Sequence, residues 1–405
     1  HRRRGAPVSI SGHSRPVAWW DIWSDIGASG HAGRVTSVDR SMTGGATGTG
    51  TGRATGGATG GATYKAAGVD IAAGDAAVER LKAITASTAR AGVVDGIGGF
   101  AGLFELGAER YRRPVLVSST DGVGTKLAVA RAAGRYGTVG IDLVAMCVDD
   151  LVCTGAEPLF LLDYLAVGAV VVERVEAVVA GVAEGCREAG CALLGGETAE
   201  HPKIMGADDM DLAGFAVGVV EHDDRLGPDR VGPGDVLVGL ASGGLRSNGY
   251  TLARHVLLER AGLALDGPAW EGAAHSLADE LLRPSVIYAS AVLAAVAAAG
   301  PSGVRACAHV TGGGIPGNLA RALPKTCDAV VERGSWEVPR IFSEIARLGE
   351  VAPDEMDRVF NLGLGFVLVV SADRVDAAVE ALSAAGRQAA VIGEVVAGSG
   401  KVALR

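Results

Sequence analysis

From residue 64 onward, apolar and polar positions alternate in short blocks whose period switches between that of a helix and that of a strand. Residues 75–90 place Val78, Leu81 and Ile84 at helical spacing, which predicts an amphipathic helix. Strands are predicted at 114–119, 159–168, 191–195 and 212–220, with helices at 125–134, 139–154 and 171–189 between them. The segment 225–235 is rich in Gly, Pro and Asp and marks a boundary. Beyond it the alternation resumes. Strands fall near 235–241, 304–310, 327–332, 362–371 and 390–396, and helices near 249–262, 285–299, 338–349 and 373–386. Both halves mix helices with several adjacent strands, so the pattern predicts an α+β class with two mixed α/β domains, 64–227 and 228–405.

Residues 1–63 do not share this order. Positions 43–63 are a near-repeat of Gly, Ala and Thr with no apolar pattern, a composition that cannot offset its own ordering entropy. A disordered Gly/Thr-rich extension is expected there. Met42 is the first methionine, and translation is expected to begin at it.

Composition narrows the classes. Of 405 residues, 48% are hydrophobic and 20% charged, which supports sizeable cores. A net charge of −9 without a strong basic cluster argues against a nucleic-acid partner, and 4% aromatic residues leave little for base stacking. No apolar run reaches the ~18 residues of a membrane span. The six cysteines form no CxxC pair and sit mostly in apolar segments, so they read as reduced core residues of a cytoplasmic protein.

Chemistry gathers where predicted elements end. Ser118-Ser119-Thr120-Asp121-Gly122-Val123-Gly124-Thr125-Lys126 runs from a strand through a glycine turn into a helix. Such a turn presents backbone N–H groups to an anion, but an aspartate beside it repels phosphate unless a cation lies between them. Asp121 and Lys126 therefore suggest a metal–polyphosphate site. The helix at 139–154 is apolar almost all round, yet it carries Asp142, Asp149 and Asp150. Buried carboxylates need a partner or a metal. At about 100° per residue, Asp142 and Asp149 share one face and Asp150 lies roughly 80° further round. A third apolar run ends at Gly195-Gly196-Glu197. Mg²⁺ sits typically between carboxylates and substrate phosphates, so the three segments together suggest a nucleotide held through magnesium.

Two motifs mislead. Gly96-Ile97-Gly98-Gly99-Phe100-Ala101 matches a dinucleotide fingerprint but follows no good strand, and a glycine loop folding over a nucleotide suits it better. Gly124-Thr125-Lys126 lacks the order of a P-loop. In the second half, Gly243-Gly244-Leu245-Arg246-Ser247-Asn248-Gly249-Tyr250 joins a strand to a helix, with Ser247 or Asn248 a natural N-cap or a phosphate ligand. His309-Val310-Thr311-Gly312-Gly313-Gly314 repeats the pattern, and His309 reads equally as a core histidine or a site residue.

Residues 64–71 (Tyr-Lys-Ala-Ala-Gly-Val-Asp-Ile), 120–126, 140–158, 195–200, 247–250 and 309–314, in this order and spacing, resemble the phosphoribosylformylglycinamidine cyclo-ligase family, also called aminoimidazole ribonucleotide synthetases. The likeness covers residues 64 to 405. Asp150, Gly155, Ala156 and Pro158 are shared by a wider superfamily, whereas 64–71 and 195–200 are more particular to the cyclo-ligases. The resemblance implies a homodimer whose N-terminal domains share a β-barrel, with ATP and formylglycinamidine ribonucleotide bound between the domains. It implies Asp121, Lys126, Asp150, Glu197 and His309 as the catalytic set, with Asp121, Asp150 and Glu197 as magnesium ligands. Gly96, Gly98, Gly99, Thr125, Lys126, Asp142 and Asp149 would serve ATP, and Ser247, Asn248, Gly312, Gly313 and Gly314 the substrate's ribose phosphate.

Two stretches depart from the family pattern, 201–206 and 315–317. Related families fit less well. A selenophosphate synthetase needs a reactive cysteine that 92–102 lacks, and a thiamine-monophosphate kinase lacks the 64–71 segment. The amidotransferase that makes the cyclo-ligase substrate needs further domains. A catalytically dead regulator would have lost Asp121, Asp150 or Lys126, and all three are present.

Overall fold

The first apolar period forms helix α1, Ile71–Ala86, four residues earlier than the spacing predicts, because Asp70 caps it by accepting from the Ala73 N–H at 3.2 Å. The computed structural model describes residues 68–97, 99, 101–107 and 109–405. The expected disorder of 1–63, the Met42 start, residues 64–67 and Gly98 lie outside them. The described residues make one compact unit.

The first half continues with β1 (Pro114–Gly122), α2 (Lys126–Ala133), α3 (Val139–Val152), β2 (Glu157–Val167), α4 (Val172–Ala189), β3 (Ala192–Glu200) and β4 (Met210–Glu221). Its sheet has the order β1-β4-β2-β3, antiparallel except for the β2–β3 pair. One face packs against α3, whose residues are all buried except Ile141 and Asp150. The other face is open. Burial alternates strictly along most of β1, and Leu116, Phe215 and Tyr164 stand 61, 43 and 41% exposed.

After two short turns, the second half runs β5 (Val236–Ala241), α5 (Tyr250–Arg254), α6 (Leu277–Leu281), α7 (Ala289–Ala299), β6 (Val304–His309), α8 (Gly314–Leu319), β7 (Cys327–Val331), α9 (Arg340–Gly349), α10 (Pro353–Val359), β8 (Leu364–Val370), α11 (Val375–Ala384), β9 (Ala389–Ala397) and β10 (Val402–Leu404). Its six strands take the order β10-β7-β9-β5-β8-β6. All seven residues of β8 are buried, since apolar clusters cover both faces of this sheet. The predicted strands all form. Short α6, α8, α10 and β10 carry too few residues to show a period and were not legible. The helix expected at 249–262 is α5 continued by a π-turn over His255–Arg260. All six cysteines are unpaired, as expected of core residues.

One apolar cluster runs through both halves, joining Leu143, Met146 and Leu151 to Leu281, Tyr288 and Phe366. Two buried ion pairs lie at the same seam, and of the two Arg246–Asp149 crosses it. Lys126, at the start of α2, lies 2.6 Å from Asp142 and donates to the carbonyls of Arg246 at 3.1 Å and Arg283 at 2.8 Å. Asp149 accepts from Arg246 at 2.9 Å and from the Tyr288 N–H at 2.8 Å. Burial pushes the Asp142 carboxyl up and the Lys126 ammonium down, and their mutual attraction opposes both shifts.

Removing one partner of such a pair leaves an uncompensated buried charge. Lys126→Met is therefore expected to cost about 3–5 kcal/mol in urea unfolding. Lys126→Met combined with Asp142→Leu should cost less than the single change. A single variant as stable as the wild type would show that the seam does not depend on the pair.

Candidate active site

Three element ends meet in a cleft between the halves. Asp121 ends β1, Asp150 lies on the last turn of α3, and His309 ends β6. Asp150 and His309 Nδ1 are 2.9 Å apart, and Ser119 Oγ donates to the other carboxylate oxygen of Asp150 at 3.3 Å. The Gly122 N–H donates to Asp121 Oδ1 at 2.7 Å. His309 is buried beside Phe366, with ring centres 6.3 Å apart and stacked. Its Nε2 is buried without a hydrogen-bond partner among the described residues.

The two carboxyls are pushed in opposite directions. Burial raises Asp121 above the ordinary carboxylate range; its Gly122 hydrogen bond opposes this, and the negative charge of Asp150 adds to it. Burial acts the same way on Asp150, but the His309 hydrogen bond and charge, helped by Arg321 and Ser119, outweigh it and hold Asp150 low. The Asp150 side chain is 43% exposed to solvent.

The expected carboxylate triad is not assembled. Among the described residues no group of three His, Cys, Asp or Glu side chains is gathered as a metal site. Glu197 projects from β3 into another cavity. What remains is Asp121 beside Asp150, two carboxylates whose repulsion a cation would relieve. That donor set fits magnesium, which commonly takes one or two carboxylates and leaves its other positions to water and phosphate.

Lys126, Asp142 and Asp149, expected to face ATP, are fully buried in the seam instead. Asp142 also accepts from the Ser285 N–H and Oγ at 2.8 and 2.6 Å. The helical offset explains the split, because Asp142 and Asp149 share the face turned to the second half while Asp150 lies at its edge. Arg246, the partner of Asp149, was missed. It adopts φ +62° within the turn after β5, and its guanidinium is held by the carbonyls of Gly365 and Val286. A lone arginine among glycines was the available signal.

That turn corrects the capping expectation. Gly249, at φ +76°, occupies the cap of α5, so neither Ser247 nor Asn248 caps it. Ser247 is buried and donates to the Val123 carbonyl at 3.0 Å, whereas the half-buried Asn248 amide makes no hydrogen bond among the described residues. Thr125 is exposed and pairs with Thr251 at 3.1 Å. In the turn after β6, Gly312 and Gly313 leave open backbone. At Gly314 a Cβ would fall 1.8 Å from the Asp357 carbonyl, so only glycine fits. Asn318, a residue sequence reasoning did not assign, braces this turn by donating to the carbonyls of Thr311, Gly312 and Gly314.

Gly96, Gly99 and Glu197 line a cavity of 560 Å³, together with Asp163 and Tyr164 of β2. The glycine pair before Glu197 has a packing reason, since a Cβ on Gly196 would lie 2.0 Å from Asp163 Oδ1. Burial pushes the Asp163 carboxyl up to about 7, against the opposing effect of its own backbone N–H. Sequence reasoning missed Asp163, which sits inside an apolar strand.

Comparison with known proteins places both halves in one family. The family models of AIR synthase related proteins match at residues 106–220 for the N-terminal domain and 232–404 for the C-terminal domain. A phosphoribosylformylglycinamidine cyclo-ligase of Myxococcus xanthus is 54% identical over 338 residues, 84% of this chain and 97% of that protein. One of Trichlorobacter lovleyi is 50% identical over 332 residues, covering 82% and 94%. Among solved structures, thiamine-monophosphate kinase from Stenotrophomonas maltophilia shares the fold, with TM-score 0.58, 22% identity and coverage of 80% and 95%. So does the hydrogenase maturation protein HypE in complex with ATP, with TM-score 0.56, 20% identity and coverage of 81% and 90%.

Asp163 makes stability pH-dependent. Its folded pKa lies above that of an unfolded carboxyl, so the stability it contributes is complete below roughly pH 4 and is lost as pH rises through about 7. Asp163→Asn, neutral at every pH, should match the wild type at pH 4 and exceed it at pH 8 by an amount on the order of 3 kcal/mol in denaturant unfolding. A difference that does not change with pH would show the carboxyl to be solvated.

Proposed function

The chain belongs to the phosphoribosylformylglycinamidine cyclo-ligase family, and we propose that it closes formylglycinamidine ribonucleotide to aminoimidazole ribonucleotide in de novo purine biosynthesis, converting ATP to ADP and phosphate. The identity to the cyclo-ligases over nearly their whole length carries this reading. The cleft of Asp121, Asp150 and His309 supports it.

The chemistry asks for little beyond positioning and charge. The formyl oxygen of the substrate is a poor leaving group, and transfer of the γ-phosphoryl of ATP to it makes it a good one. The amidine nitrogen then attacks the formyl carbon, the carbon–oxygen bond breaks, and phosphate leaves as the nitrogen gives up a proton. No side-chain nucleophile is required, and catalysis rests on orientation and electrostatic stabilisation. Asp121 and Asp150 would hold magnesium, which neutralises phosphate charge. Asp150 orients His309 through Nδ1. Asn248 and the open backbone of Gly312 and Gly313 would hold the ribose phosphate. The cavity beneath Gly96 and Gly99 would take the nucleotide, with Glu197 at its wall.

We infer further that two copies pair through the open face of the first sheet. Leu116, Tyr164 and Phe215 lie exposed on adjacent strands, an apolar face that a second copy would cover. In this reading 64–227 is the nucleotide-binding and pairing domain and 228–405 the substrate domain. The enzyme acts in the cytoplasm on a small molecule, with neither nucleic acid nor membrane as partner.

ADP release with Mg-ATP should depend on formylglycinamidine ribonucleotide and be matched by aminoimidazole ribonucleotide. Release that occurs only with another acceptor overturns the substrate. Asp150→Asn should lower kcat roughly 100-fold or more at an unchanged thermal midpoint, and near-native turnover would remove Asp150 from the site. Phe215→Asp is expected to sediment as a monomer where the wild type sediments as a dimer; a dimeric variant would place the pairing surface elsewhere.

A further inference from the structure

A second cavity, of 470 Å³, lies in the second half and shares no lining residue with the cleft of Asp121, Asp150 and His309. That size falls within the ~300–1,000 Å³ of small-molecule sites. Its floor is formed by residues of β5 and β9, and two half-buried tryptophans, Trp270 and Trp336, line it. The Arg340 guanidinium lies over the Trp270 ring at 5.2 Å, and His275 meets the same ring edge-on at 5.1 Å. Half-buried indoles lining a concave site favour a flat ring.

The polar groups of the cavity narrow the choice. Glu280 is buried, and one carboxylate oxygen, Oε2, serves both His275 Nε2 at 2.9 Å and Arg283 Nη2 at 2.7 Å. Its Oε1 accepts no hydrogen bond among the described residues. Arg340 uses Nε on Glu344 at 3.0 Å, and neither of its terminal nitrogens has a hydrogen-bond partner among the described residues. One free acceptor and a free donor pair therefore line the same slot. A purely apolar ring would leave both unmet at a cost. A phosphate would face the Glu280 carboxylate. A ring with N–H donors on one edge and nitrogen or carbonyl acceptors on another satisfies both.

We propose that this cavity is a second ligand site, for a flat nitrogen heteroaromatic of purine-base size. The ring stacks on tryptophan, gives an N–H to Glu280 Oε1, and accepts from a terminal nitrogen of Arg340.

The test is titration of the full chain with adenine, followed calorimetrically and by saturation-transfer NMR, in the presence of a saturating non-hydrolysable ATP analogue. Adenine should bind with the analogue present. Trp270→Ala should weaken binding roughly tenfold or more. Gln388→Trp, a change at an exposed position lining the cavity, should abolish binding while leaving turnover without adenine unchanged. Should Trp270→Ala fail to fold, Gln388→Trp alone decides. Absence of binding to the wild type, displacement of adenine by the ATP analogue, or undiminished binding to Gln388→Trp would each overturn the proposal.

Discussion

The arrangement rests on two ion pairs sealed where the halves meet. Helix α3 is too apolar to lie at a surface and carries two carboxylates that cannot be buried alone. Lys126 from its own half and Arg246 from the other provide the matching charges. Each cation also donates to backbone carbonyls, those of Arg246 and Arg283 for Lys126 and those of Gly365 and Val286 for Arg246, whose buried Nε alone has no hydrogen-bond partner among the described residues. A charge network satisfied to this degree tolerates little displacement, because any shift exposes an unpaired group to a low-dielectric interior. Whether the pairs add net stability over a fully apolar seam is a separate matter from the register they impose.

That register builds the cleft. Asp149 and Asp150 are neighbours on one helical turn, and about 100° of rotation sends the first into the seam and the second to its rim. Once Asp149 is clamped, Asp150 can point only toward the end of β6, where His309 meets it. The turn bearing Arg246 is pinned by the same pair, so Ser247 and Asn248 follow at the mouth. The left-handed Arg246 backbone is a local cost accepted for that anchorage.

Much of this was legible beforehand. Every predicted strand forms, because alternation in β1 and unbroken apolar runs in β8 report which faces are covered. The motifs that end in Asp121, Asp150 and His309 were each singled out, and the fold places Asp150 against His309. The errors share one cause. Lys126, Asp142 and Asp149 carry the same residue types as a phosphate site, and charge type alone does not distinguish a ligand from a partner. Glu197 was grouped with the other carboxylates because it follows the same strand-then-glycine pattern, but β3 is the far edge of its sheet from β1.

The amino-acid order by itself determined the elements, the two-part α+β organisation and the list of unusual charged residues, since hydrophobic period and glycine turns are local properties. Only the tertiary structure decided which of those charges neutralise one another and which stay available for chemistry. Burial and pairing depend on residues 97 to 159 positions away: Arg246 on Asp149, Ser285 on Asp142, His309 on Asp150. Periodicity within a segment carries no record of a partner in another, and so the division between strut and site appears only when the two halves close.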